Sequence, residues 1–265
     1  MLMNFFLTIA AILTGLYILG CAVVYLIQER LIFKPQKLSL NHHFNFKNEY
    51  KEMFIEAADG SKINGLLFNV KEPIGLVFYM HGNIGSLNSW GEVPANYINL
   101  GYDVFIYDYR SYGKSEGKIR SQKQLFDDNQ RVYDSIKTQY AEKDIVILGH
   151  SLGTAMAAKL AVDNPVGKLI LITPYYSMSG LVKRLHPYLP VFILKYKLAT
   201  WKYLKNCKMP VVIFHGDKDD LVDYNDSLKL QKFFKTGDKL ITMKGQGHYR
   251  INDSQDYRAK LSREL

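Results

Sequence analysis

The run Ile145-Val146-Ile147-Leu148-Gly149-His150-Ser151-Leu152-Gly153 constrains the fold of this chain more than any other segment. Ile145 to Leu148 is an uninterrupted apolar stretch rich in β-branched residues, the pattern of a central parallel strand covered on both faces. It ends in Gly-x-Ser-x-Gly. Thr154 to Val162 then supplies a helix whose Ala155, Ala157 and Ala158 permit close approach to a sheet. A strand that reverses so sharply into a helix strains the serine's backbone and leaves room only for hydrogen at the flanking glycines. The spacing predicts that the Ser151 hydroxyl stands exposed at the sheet's edge, as in a nucleophile elbow.

Two further strand-loop units follow in the chain. Val211 to Phe214 reads as a buried strand running into His215-Gly216-Asp217-Lys218-Asp219-Asp220-Leu221-Val222. Lys239 to Met243 reads as another, leading to Gly245-Gln246-Gly247-His248-Tyr249. A serine hydroxyl is a poor nucleophile until a neighbouring base takes its proton, and an imidazole that titrates near neutrality suits that task. His248 is the expected base, with Asp219 orienting its ring. Asp217, Asp220 and Asp223 compete for the acid's role, and spacing alone does not separate them. His42, His43 and His186 lie outside strand-loop contexts and read as surface groups. His81 and His215 each precede a glycine at a strand end and read as structural residues of the turn. The strand Gly75 to Met80 ends in His81-Gly82-Asn83. The backbone N–H groups of Asn83 and Leu152 are therefore expected to meet the negative charge that develops in an acyl transfer. Ser, then Asp, then His is the triad order of the α/β-hydrolases.

The chain resembles that superfamily over nearly its whole length, and within it the membrane-anchored group of Bem46-like, ABHD13-type and ABHD17-type proteins. The resemblance rests on Gln28 to Pro35, His81-Gly82-Asn83, Asp108-Tyr109-Arg110-Ser111-Tyr112-Gly113-Lys114-Ser115-Glu116-Gly117 and Gly149 to Gly153. It continues through Thr173 to Met178, the loop carrying Asp219 and Val222, and Gly247-His248. It implies a catalytic set of Ser151, Asp219 and His248, with Asn83 and Leu152 as oxyanion donors. Ser111 stands where the family usually has glycine, and Thr173 where an acidic residue or alanine is common.

From Phe5 to Ile27 there are 23 residues without a charge, Asn, Gln or His. A helix of that length spans about 35 Å, enough to cross a bilayer. A cleaved signal peptide fits less well, because no Lys or Arg precedes the run and no small-x-small site ends it. Ile18-Leu19-Gly20-Cys21 resembles a lipoprotein site, yet the apolar run continues beyond the cysteine. A buried core helix would show a polar face, which this one lacks. Arg30, Lys34, Lys37 and Lys47 follow the run, so the positive-inside bias favours a cytoplasmic catalytic domain. Cys21 lies in the expected span and Cys207 outside it, so the two are not expected to pair.

The expected plan is thus an anchor over residues 1–27 and a single α/β-hydrolase domain over 28–265, with a mostly parallel central sheet flanked by helices. Strands are expected at Met53 to Ala57, Ile63 to Val70, Val104 to Tyr107 and Lys168 to Thr173, and helices near Ser89 to Leu100 and Ser121 to Tyr140. Residues 174–206 form an aromatic and basic insertion that would serve as core or as a small cap above the site. The net charge of +9 comes from scattered lysines without a nucleic-acid motif, so an anionic membrane surface is the simpler partner. No phosphate-cradling loop or Cys/His cluster is present, and no cofactor is expected. The function these features imply is a membrane-anchored serine hydrolase acting on carboxylic or thio-esters with lipid-like acyl groups. An amidase or peptidase of the same fold and a non-catalytic membrane scaffold are the alternatives.

Overall fold

Eight strands form one sheet in the computed structural model, which describes residues Met1–Leu265. In chain order they are β1 (Lys51–Glu56), β2 (Lys62–Phe68), β3 (Gly75–Met80), β4 (Tyr102–Tyr107), β5 (Ile145–His150), β6 (Lys168–Ile172), β7 (Val211–Gly216) and β8 (Lys239–Met243). Their spatial order is β8-β7-β6-β5-β3-β4-β2-β1. Only β1 and β2 run antiparallel to their neighbours; the pairs from β4 to β8 are parallel.

Every residue of β3, β4, β5 and β7 is buried, as expected of apolar strands covered on both faces. Alternate side chains enter opposite cores. Leu76, Phe78 and Met80 of β3 join the larger cluster, while Val77 and Tyr79 join the other, with Tyr97 and Tyr257. The larger cluster is covered by helices α2 (Gln122–Lys137) and α3 (Gly153–Asp163). Ser121 starts α2 by accepting the Gln124 amide. Ala155, Ala157 and Ala158 of α3 are fully buried.

The expected helix from Ser89 to Leu100 is instead two single turns, Leu87–Trp90 and Ala95–Ile98. Pro94 supplies no N–H for a continuous ladder. Gly91 lies against the Phe46 ring, 2.1 Å from where a Cβ would stand.

The N-terminal helix α1 runs over Leu2–Ile32, five residues beyond the uncharged run, and is long and apolar enough to cross a membrane. Its last turns pack on the domain. Gln28 is buried, donates to the carbonyl of Ile193 at 3.2 Å and accepts the Lys195 amide at 2.8 Å. Glu29 pairs with Lys195 at 3.1 Å. The insertion 174–206 contains helices α4 (Met178–Leu185) and α5 (Thr200–Leu204). Tyr175, Tyr196 and Leu198 of this insertion join the core, while Leu181, Val182 and Leu185 face a cavity. Helix α6 (Tyr224–Gln231) follows β7, and α7 (Gln255–Leu261) closes the chain.

Candidate active site

β3 is flanked by β4 and β5, and the loops leaving the carboxyl ends of β3 and β5 meet at this reversal of strand order, where open α/β sheets place their ligands. Ser151 leaves β5 with a φ of 50°, in the left-handed region. That conformation costs roughly 1–2 kcal/mol and persists because the surroundings over-determine it. A Cβ on Gly149 would lie 2.6 Å from the Gly153 carbonyl oxygen, and one on Gly153 would lie 2.2 Å from that of Met80. The Ser151 amide donates to the Ile172 carbonyl at 2.9 Å, and its own carbonyl accepts the Thr154 amide at 3.0 Å.

The structure brings Ser151, His248 and Asp219 into one line. His248 Nε2 lies 3.0 Å from Ser151 Oγ, and its Nδ1 lies 2.7 Å from Asp219 Oδ2. A carboxylate opposite Nδ1 requires a proton on that nitrogen, which leaves the Nε2 lone pair aimed at the hydroxyl. Asp219 Oδ1 accepts the amides of Leu221 at 3.0 Å and Val222 at 2.7 Å. Burial pushes the Asp219 carboxyl up, but hydrogen bonds from His215 and His248, the charge of His248 and the Val222 amide together hold it well below the usual carboxylate range.

The competing carboxylates have other positions. Asp217 accepts the Gly245 amide at 2.6 Å, Asp223 starts α6 by accepting the Asn225 amide at 2.8 Å, and Asp220 is exposed. His215 is buried, with Nδ1 2.6 Å from Ser227 Oγ and Nε2 3.0 Å from the Val222 carbonyl and 3.2 Å from Asp219 Oδ2. It buttresses the carboxylate rather than approaching Ser151. His81 is buried beneath the Gly82-Asn83 loop, His43 is exposed, and His42 contacts Asn88 at 2.9 Å. His186 is exposed, yet it lines the cavity described below.

Neither the Asn83 nor the Leu152 amide donates to a protein acceptor, so two backbone donors stand free beside Ser151. The Asn83 loop is held from several sides. Its carbonyl accepts Tyr112 Oη at 2.7 Å and the Lys34 amide at 3.0 Å, and its side-chain Nδ2 donates to the Ile32 carbonyl at 3.2 Å. Tyr109 Oη donates to the His81 carbonyl at 2.8 Å. The segment Asp108 to Gly117 thus frames this loop. Arg110 anchors the segment through paired bonds of 2.6 and 2.9 Å to Asp128 and 2.8 and 2.9 Å to Asp59. Ser111 has a φ of 71° and Thr173 a φ of 49°; the former is a conformation glycine adopts without strain.

Two cavities meet at Ser151. One, of about 450 Å³, is mostly apolar and is lined by Leu152, Met178, Leu181, Val182 and Val222, together with Val24, Gln28, Leu31 and Ile32 of α1. The other, of about 590 Å³, is lined mostly by polar and charged residue types, including Lys34, His150, His248, Arg250 and Asn252, with Trp90 among them. Sequence reasoning missed the α1 wall, because hydropathy does not distinguish a lipid-facing residue from one facing protein. It also missed His150, although that residue lies inside the Gly-x-Ser-x-Gly motif. The His150 Nδ1 faces Tyr79 Oη at 3.2 Å and Asn252 Nδ2 at 3.3 Å. Burial first, and the charge of His248 second, push its pKa down to about 3, so the ring is neutral.

The family model described as "Serine aminopeptidase, S33" (Hydrolase_4) matches residues 71–204. An α/β-hydrolase domain-containing protein 17C of Xenopus tropicalis is 28% identical over 217 residues, which cover 80% of this chain and 63% of that protein. A Danio rerio protein named lysophosphatidylserine lipase ABHD12 is 27% identical, with 82% of this chain and 70% of that protein covered. Among solved structures, a Pyrococcus furiosus esterase superimposes with a TM-score of 0.69 at 19% identity, covering 88% of this chain and 96% of that one. An Exiguobacterium antarcticum esterase gives 0.63 at 19% identity, covering 81% and 98%. The match over half the chain, the strand order and the strained serine after β5 converge: the chain belongs to the Hydrolase_4 family of α/β-hydrolases.

Proposed function

We propose that this hydrolase is a membrane-anchored serine esterase or thioesterase for substrates with one lipid-like acyl chain and a polar leaving group. The observation that carries the reading is Ser151 at the junction of an apolar and a polar cavity, with its Oγ 3.0 Å from the His248 imidazole. Ser151 Oγ attacks the carbonyl carbon while His248 Nε2 takes its proton, and Asp219 stabilises the imidazolium. The free amides of Asn83 and Leu152 receive the developing oxyanion. His248 returns the proton to the departing alcohol or thiol, and water activated by the same imidazole releases the acid from the acyl-serine. The acyl chain occupies the apolar cavity, the leaving group the polar one, and the insertion 174–206 acts as the cap. The name of the Danio rerio relative, a lysophospholipid lipase, supports a substrate of this shape. Helix α1 serves as the anchor, with Arg30, Lys34, Lys37 and Lys47 favouring the domain on the cytoplasmic side.

A fluorophosphonate probe should label Ser151 and leave the Ser151→Ala protein unlabelled; a folded native protein that stays unlabelled overturns the assignment. Protease accessibility in sealed vesicles of known orientation tests the side. Aminopeptidase activity is the second reading, favoured by the description of the family model. No Asp or Glu lines the apolar cavity, and Asp253 is the one carboxylate lining the polar cavity that could hold a substrate ammonium. Faster cleavage of aminoacyl anilides than of p-nitrophenyl butyrate would favour that alternative.

A further inference from the structure

The apolar stretch of α1 does not project freely from the domain. Tyr17 Oη donates to the carbonyl of Tyr188 in the insertion at 2.9 Å. Farther along the helix, Cys21, Val24, Gln28 and Ile32 lose solvent exposure on the docked face, at a helical spacing. Tyr188 and Phe192 of the insertion are themselves 86% and 83% exposed, a high value for large aromatic side chains on a water-facing surface.

Length arithmetic places this contact in relation to a bilayer. A hydrocarbon core of about 30 Å takes roughly 20 helical residues. The uncharged stretch Phe5 to Ile27 offers 23. Any window of about 20 residues within it contains Tyr17, Cys21 and Val24. The residues in contact with the insertion therefore lie at membrane depth, and what touches them lies there too.

A groove continues the same line. It runs between α1 and the insertion past Tyr17, Gly20 and Cys21 on one side and Pro187 and Tyr188 on the other. It shares Val24, Leu185, His186 and Leu189 with the apolar cavity that reaches Ser151. Of the two charged residues on α4, Arg184 donates to the Leu221 carbonyl, and Lys183 is a long side chain able to extend toward lipid headgroups.

We propose that the tip of the insertion, from Leu185 to Phe192, is embedded in the membrane beside α1. The groove between them then opens to the lipid phase, and an acyl chain passes along α1 to Ser151 without entering water. This rests on the reading of α1 as a membrane anchor. The occupant of the exposed aromatic surface is the acyl region of the bilayer, because the surface is continuous with the stretch of α1 that only a bilayer would cover.

The test uses the full chain in phosphatidylcholine vesicles containing lipids brominated along the acyl chain, which quench tryptophan only within the hydrocarbon. Tyr188→Trp and Phe192→Trp are each compared with the parent protein, whose tryptophans are Trp90 and Trp201. Leu13→Trp on α1 reports insertion of the anchor, and Ile74→Trp, in the loop leading into β3, reports the water-facing end. The expected result is quenching at 13, 188 and 192 and none at 74. In parallel, Phe192→Asp, at a residue that lines neither the groove nor the apolar cavity, should lower hydrolysis of a long-chain ester held in the vesicle by about tenfold or more, the effect of losing about 1.4 kcal/mol of insertion. Hydrolysis of dissolved p-nitrophenyl butyrate should be unchanged. Quenching at 13 but not at 188 or 192 overturns the proposal and leaves the anchor intact. Quenching at none of them overturns both. Equal loss on the two esters overturns the route through the groove.

Discussion

Replacing Asp219 by Asn exchanges one heavy atom and should silence the site without unfolding it. Asp219 Oδ1 accepts two backbone amides, from Leu221 at 3.0 Å and Val222 at 2.7 Å, and an asparagine can satisfy both only with its oxygen. Its NH2 group must then take the place of Oδ2, 2.7 Å from His248 Nδ1. Facing a donor, Nδ1 becomes an acceptor and the ring proton moves to Nε2, toward Ser151. The base has lost the lone pair it needs. The wrong tautomer in a triad of this type lowers kcat by about 10⁴, or about 5.4 kcal/mol of transition-state stabilisation. The two retained amide bonds limit the loss of fold stability to about 1–3 kcal/mol, mainly from the unfavourable contact with His215 Nε2. The measurements are p-nitrophenyl ester turnover, the rate of fluorophosphonate labelling and thermal unfolding by circular dichroism. More than a tenth of native turnover in a folded Asp219→Asn protein would refute the tautomer argument.

Three other outcomes follow from the same geometry. Gln28→Ala leaves the Ile193 carbonyl and Lys195 amide without their partner, costing about 2 kcal/mol, and should shift the preferred ester chain length as the α1 wall loosens; an unchanged melting temperature and chain-length profile would count against it. Gly153→Ala sets a Cβ 2.2 Å from the Met80 carbonyl oxygen and 2.9 Å from that of His81, both backbone, so stability should fall by about 3 kcal/mol or more, read by chemical denaturation. The pH dependence is set partly by His150, whose folded value of about 3 lies below its ordinary 6.5. Between these values the unfolded chain binds a proton that the folded protein refuses, so stability falls as pH drops from 6.5 toward 3, by up to about 1.4 kcal/mol per pH unit. Asp219, held low in the fold, adds a loss in the same direction below about pH 4, the range of an unfolded aspartate. His150→Gln should flatten the limb between pH 6.5 and 4.5, measured as melting temperature against pH; an unchanged slope would show that other groups set it.

The central strands were readable because burial on both faces leaves nothing but apolar residues in them, and the elbow because its glycines answer to van der Waals contact. Asp219 stood among four carboxylates of similar spacing. What separates it is the imidazole of His248, 29 residues away; the two backbone amides and His215 that hold the carboxylate all lie within four residues of it. The expected helix at 89–100 is interrupted between Trp90 and Ala95, where Pro94 supplies no N–H and Gly91 packs on the Phe46 ring of a distant loop. The end of α1 was hidden differently. Gln28 reads as the polar boundary of a membrane segment, yet its amide is satisfied by backbone 165 residues away and the helix continues through it.

The bond from Asn83 Nδ2 to the Ile32 carbonyl joins the last residue of α1 to the loop beside the serine, and the Lys34 amide on the Asn83 carbonyl adds a second tie. With α1 as the proposed anchor, the segment that would hold the protein in a membrane and the loop beside Ser151 are mechanically one unit. A proteolytic cut near residue 33 would remove one wall of the apolar cavity and slacken the Asn83 loop in the same event. On the proposed reading of α1 as an anchor, shedding would act as an off switch.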